Sequence, residues 1–200
     1  MTNQTIERNR NGKKSVLLFS RLSVLLLLVV YLAGCDANQT ISSEPEINSA
    51  ELTSVMNSSA DKKFDDADMN LIKMVKRATA RYNSTNQALR AGYLESTHCV
   101  DHPELGGMGY HWVNPALIDD VYDITRPEVM LYEADSDGNF KLVAVEYVVL
   151  NTGQDHPYFG NYPFDVGGTP DPRPHWSLHV WLYKPNPNGI FTPFNPLVSC

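Results

Sequence analysis

Two histidines and a glutamate hold the richest chemistry in this 200-residue chain. His111 follows a glycine cluster in Gly106-Gly-Met-Gly-Tyr-His-Trp-Val-Asn114, Glu146 interrupts the apolar run Leu142-Val-Ala-Val-Glu-Tyr147, and His179 lies in the closing segment His175-Trp-Ser-Leu-His-Val-Trp-Leu-Tyr183. Two imidazoles plus a carboxylate, with one position left open, is the donor set of a catalytic zinc or non-haem iron centre. On a sheet such a set is assembled with one ligand from each of several strands. The support is compositional, because the chain holds no His-Glu-x-x-His, Cys-x-x-Cys or His-x-His. The competing reading is a structural carboxylate held by Tyr and Trp donors.

Spacing excludes other combinations. In a strand His175, Ser177, His179, Trp181 and Tyr183 share one face, and residues four apart are separated by about 13 Å. His175 and His179 therefore cannot chelate one ion, and His175, Tyr147 and Trp181 are expected around the triad rather than in it. His98 and His102 flank Cys99, a pattern open to copper or a thiolate nucleophile, but a bridged cysteine favours a surface loop. Ser177 lacks the glycines of a nucleophile elbow. The groups Asp119, Asp120, Asp123 and Asp135, Asp137 do not match a calcium loop and suit caps and turns. Where the pocket is catalytic, Glu146 is its base or ligand and the histidines are ligands or proton carriers.

These side chains need a scaffold, and the clearest part of it is a hairpin. The runs Glu128–Ala134 and Phe140–Leu150 flank Asp135-Ser-Asp-Gly-Asn139, whose Asp137-Gly138 is a hairpin turn dipeptide. Pairing across it sets Leu131 opposite Ala144, Val129 opposite Glu146 and Tyr132 opposite Val143. Both faces are apolar, so the second strand is expected to be central, with Glu146 intruding on an oily row. Upstream, Met69, Ile72, Val75 and Thr79 recur at helical spacing over Asp66–Tyr82, opposite Lys73, Lys76, Arg77 and Arg81. Ser84-Thr-Asn-Gln87 resembles a capping box for a short second helix stopping at Gly92. Asn114-Pro115 predicts one or two helical turns through Asp120. Asn151–Pro174 holds five prolines and four glycines and reads as a long loop, packed down by Tyr158, Phe159, Tyr162 and Phe164. The expected fold is α+β: an antiparallel sheet covered by N-terminal helices and the Pro/Gly-rich loop.

The N-terminus sets the compartment. Arg8, Arg10, Lys13, Lys14 and Arg21 precede the apolar run 23–32, a basic region and short apolar core typical of a secretory signal; a spanning helix needs about 20 apolar residues. The run ends in Leu32-Ala33-Gly34-Cys35, which resembles the lipobox of bacterial lipoproteins. That resemblance implies a signal peptide over 1–34 and a lipidated Cys35 that holds the chain to a bilayer, facing the periplasm or exterior of the cell envelope. Asp36 resembles an inner-membrane retention signal. Residues 35–60 are polar and without period, a tether, leaving 61–200 as one domain.

Without residues 1–34 the chain keeps 11 basic and 22 acidic residues, a net charge of −11. Nucleic acid is therefore not an expected partner. With Cys35 lipidated, Cys99 and Cys200 remain, and in an oxidising compartment two such cysteines more often pair than stay as buried free thiols.

Several segments together resemble an uncharacterised family of exported bacterial proteins: Gly107-Met-Gly-Tyr-His-Trp-Val-Asn114, Arg126-Pro-Glu128 with Leu131-Tyr-Glu133, Leu142-Val-Ala-Val-Glu-Tyr147, His179-Val-Trp-Leu182 and Phe194-Asn-Pro196 through Cys200. The likeness spans about residues 70–200 and implies no activity. The functional expectation is thus a membrane-anchored lipoprotein binding a small ligand or a divalent metal (Zn or Fe) through His111, Glu146 and His179. The alternative is a non-catalytic envelope protein that meets a partner protein or glycan through an aromatic face.

Overall fold

A computed structural model describes residues 64–95, 98–168 and 172–200, so the expected signal peptide, Cys35 and the expected tether lie outside the described residues. The fold is β-rich. An antiparallel, curled six-stranded sheet has the order β1-β2-β3-β4-β8-β7, and a separate hairpin pairs β5 with β6. The strands are β1 (Cys99–His102), β2 (Gly106–Val113), β3 (Val129–Ala134), β4 (Phe140–Leu150), β5 (Tyr158–Phe159), β6 (Tyr162–Pro163), β7 (Asp165–Val166) and β8 (His175–Val180).

The expected hairpin is β3–β4, closed by Gly138 at φ +81° with Asp135 Oδ1 accepting the backbone N–H groups of Asp137 and Asn139. Its register matches at Val129 opposite Glu146 and Leu131 opposite Ala144, then slips at a bulge, so Tyr132 meets Leu142 rather than Val143. A bulge of this kind adds one unpaired residue that pattern alone does not place. β4 is central, flanked by β3 and β8.

Alternation divides the sheet into two faces. Register places Val113, Val129, Glu146 and His179 in one row across β2, β3, β4 and β8, and His111, Leu131 and Ala144 in the next row of the same face. Trp112, Met130, Val145 and Val180 lie on the opposite face, where Trp112 and Tyr132 stack at 4.7 Å. Both faces are buried at β4, whose residues Leu142–Val149 are all closed off from solvent.

The first helix, α1, runs Asp66–Thr79 with Asp65 as its N-cap, accepting from the N–H of Asp68, and continues as a 3-10 turn over Ala80–Asn83. Ile72 and Val75 belong to the same buried apolar cluster as Trp112, Val145 and Leu178. Tyr132 donates to the Tyr82 carbonyl at 2.6 Å, and Thr79 and Tyr183 share a hydrogen bond at 2.9 Å. The second helix, α2 (Thr85–Arg90), starts after Ser84 without a side-chain cap bond. Asn114-Pro115 opens a turn and no helix. Asn114 still caps that turn, its side-chain oxygen accepting from Ala116 N–H while its nitrogen donates to the Ala91 carbonyl. The segment after Asn151 contains β5, β6 and β7, with Phe159 and Phe164 fully buried.

Cys99 and Cys200 form a disulfide with Cα atoms 5.7 Å apart. The tail before Cys200 also pairs with β2: Gly107 N–H donates to the carbonyls of Asn195 and Val198, and Asn195 N–H donates back to Gly107. A side chain at Gly107 would strike Val198.

Candidate metal site

The three residues singled out by composition meet. His111 on β2, Glu146 on β4 and His179 on β8 each offer one ligand atom, and these atoms lie within 4.8 Å of one another. Glu146 takes the middle position: Oε2 is 3.6 Å from His111 Nε2 and Oε1 is 3.9 Å from His179 Nε2. His111 and His179 stand on strands separated by β3 and β4, a flat-sheet distance of about 14 Å, yet their ring centroids are 6.2 Å apart. Curling of the sheet and the inward lean of both rings close that gap. The set could hold a metal ion on the sheet. A tetrahedral ion with bonds of 2.0–2.1 Å places its donors about 3.3 Å apart, so small side-chain rotations complete the geometry.

The local backbone orients His111. Its Nδ1 lies 3.2 Å from the Gly109 carbonyl oxygen, and donation there leaves the Nε2 lone pair facing Glu146. Gly109 has φ +92°, and a Cβ at that position would collide with the Tyr132 carbonyl. Gly109→Ala is therefore expected to cost about 1–3 kcal/mol of stability and to loosen His111, read as a lower denaturation midpoint together with weaker metal affinity.

Burial governs the charges. It raises the Glu146 carboxyl to about 8. It lowers His179 to about 3, with the neighbouring His111 adding to the effect. It also lowers His111 to about 4, partly opposed by the Gly109 carbonyl and reinforced by His98. Near neutral pH both imidazoles are uncharged and Glu146 holds its proton. His179 Nε2 is buried and has no hydrogen-bond partner, a state that costs about 1–3 kcal/mol for an ordinary polar group. A cation placed among the three satisfies that nitrogen and displaces the proton.

The metal-free protein should consequently show a broad stability maximum between about pH 4.5 and 6.5. Below it, the unfolded chain protonates histidines that the fold keeps neutral down to about 4 and about 3, so stability falls with pH. Above it, the unfolded chain ionises Glu146 and Glu128 while the fold keeps both protonated up to about 8, so stability falls as pH rises. In between the two pairs oppose each other. Urea denaturation across pH after chelator treatment checks the shape, and a maximum above pH 8 would contradict it.

The other expected neighbours separate. Trp181 follows on the triad's face, its indole N–H bonded to the Thr192 carbonyl. His175 shares the face, but its Nδ1 bonds the Arg173 carbonyl at 2.7 Å and it contributes no ligand atom. Tyr147 does not surround the site. It points through the other face, opposite Leu178, and donates to the Ile124 carbonyl, because neighbours in a strand alternate sides. Neither Tyr147 nor Trp181 thus holds Glu146. His102 accepts the N–H groups of Glu104 and Leu105 in the β1–β2 turn.

Glu128 was not singled out from the sequence. It is 2% exposed, burial raises its carboxyl to about 8, and Oε2 accepts the Val148 N–H at 2.9 Å. The Pro127 carbonyl is engaged by the Tyr93 hydroxyl, and the Glu128 carboxyl caps β4 just beyond the last β3 pair. Nothing in the sequence distinguishes this acid from an exposed strand-end glutamate.

A scan against protein-family models finds no match, and searches of curated proteins and of solved structures find none either.

Proposed function

We propose that this protein is an exported, lipid-anchored domain that binds a divalent transition metal, zinc or iron, through His111, Glu146 and His179. One observation carries the reading: two imidazole nitrogens and a carboxylate from three strands converge at a partly buried point, one nitrogen having no hydrogen-bond partner. Nitrogen and oxygen donors in this ratio suit zinc or iron better than calcium or magnesium, which take oxygen. In this reading Cys35 and its lipid hold the domain at the envelope, and α1, α2 and residues 151–168 shield the sheet.

Three protein donors leave a fourth position, and a metal there would act as a Lewis acid on a bound water or substrate oxygen. The residues have separate tasks. His111 and His179 hold the ion, Gly109 fixes the His111 ring, and Glu146 supplies the negative charge. Elemental analysis of the full chain, purified without chelator or affinity histidines, should find about one transition-metal ion per chain. Affinity should rise between pH 6 and 8 as Glu146 gives up its proton, opposite in direction to the stability of the metal-free protein. A chain that stays metal-free after incubation with zinc or iron(II) would refute the reading.

A further inference from the structure

The edge strand β1 is preceded by a histidine, His98, that is not among the three donors. β1 pairs with β2 with Cys99 opposite Tyr110. Continuing that antiparallel register by one residue sets His98 opposite His111, and directly opposed residues share a face with Cβ atoms about 4.5–5.5 Å apart. Tyr110 packs on Phe140, which also meets Trp112, so His98 and His111 take the other face, that of the triad. His98 is exposed, and it is near enough to His111 to contribute to the lowering of that imidazole. The triad opens on the same flank: the His111 side chain is 19% exposed and that of His179 is 5%. The disulfide at Cys99 holds this point of the edge strand in place.

We propose that His98 is the entrance residue of the site: it donates a hydrogen bond to a small oxyanion whose other oxygen occupies the fourth position of the metal. This rests on the metal-site reading above and specifies its ligand class. The charges agree, because a divalent ion with an ionised Glu146 and two neutral imidazoles leaves a net positive site. An imidazole N–H beside it supplies the directed donor that an oxyanion recognises. A carboxylate or a phosphate fits equally, since each spans metal and donor with two oxygens. His98 is not itself a ligand in this arrangement, standing one strand further from Glu146 than His111 does.

Cobalt(II) separates these roles, because its visible absorption reports both occupancy and a change of the fourth ligand. The full chain would be loaded with cobalt(II) and titrated with acetate and, separately, inorganic phosphate. For wild type at least one anion should shift the spectrum saturably. His98→Ala should bind cobalt(II) with unchanged affinity and hold the responding anion about tenfold less tightly, the loss expected for one charge-assisted hydrogen bond. His98→Gln, which keeps an N–H donor, should recover most of that loss. Equal anion affinity in wild type and His98→Ala, or no anion response in cobalt-loaded wild type, would overturn the entrance role and leave the triad standing. Weakened cobalt(II) binding in His98→Ala would make His98 a ligand and overturn it too. Failure of the wild type to take up cobalt(II) at all would overturn the metal site with it.

Discussion

His179→Ala is expected to take the chain from about one bound transition-metal ion to none. His179 is the most enclosed of the three donors and the one whose Nε2 has no other partner, and among the described residues no fourth donor joins the group, so its removal leaves two. The loss should also appear as stability. A ligand present at 100 times its dissociation constant stabilises the folded state by about 2.7 kcal/mol. For a domain of this size 1 kcal/mol moves Tm by roughly 3 °C, so metal-loaded wild type should melt roughly 8 °C above the variant.

A chelator control distinguishes this from a packing effect. In metal-free protein, alanine removes a costly unpaired nitrogen and leaves a cavity, two opposing changes. Chelator-treated wild type and variant should then differ by much less than the metal-loaded pair. If a chelator leaves the wild-type Tm unmoved while His179→Ala lowers it, the imidazole serves packing and the metal reading fails.

Opening the Cys99–Cys200 bridge should be the largest single loss of stability in the described domain. The cysteines are 101 positions apart, and on the chain-entropy model a loop of about 100 residues contributes about 4.7 kcal/mol by restricting the unfolded ensemble. In the fold the bridge also secures two edges at once, the outer strand β1 and the tail whose Asn195 and Val198 accept from Gly107. With urea m-values of about 1–3 kcal/mol per molar, the midpoint for Cys200→Ala or reduced wild type should fall by roughly 2 M. A shift equivalent to under 1 kcal/mol would mean that the tail's backbone bonds hold β1 without covalent help. The triad sits on β2, β4 and β8, so reduction should weaken metal binding far less than it weakens the fold.

The sequence carried the local chemistry of this protein further than its assembly. The pairing of Val129 with Glu146 expected from the two apolar runs is the observed one, but a bulge between Leu131 and Tyr132 separates it from the Asp-Gly turn, so the turn alone does not set it. The expectation failed nearer the turn at Tyr132, which meets Leu142, and at Asn114, which opens a turn and no helix. Alternation placed His175 and His179 on one face correctly. The same rule, applied to Tyr147 beside Glu146, excludes it from the site, and reading nearness along the chain as nearness in space was the error. His98 looked like a loop residue because its relation to His111 exists only through the pairing of β1 with β2.

Residue identity by itself determined that two imidazoles and an intruding acid were available, that Cys99 and Cys200 were available to bridge, and that the central hairpin would form. These are consequences of side-chain chemistry and of contacts a few residues apart. Tertiary structure alone decided that β8 returns beside β4 and that the sheet curls enough to bring β2 toward β8, setting His111, Glu146 and His179 within 4.8 Å. Strand order is chosen by the burial of whole faces against one another, a sum over the entire domain that no local spacing contains.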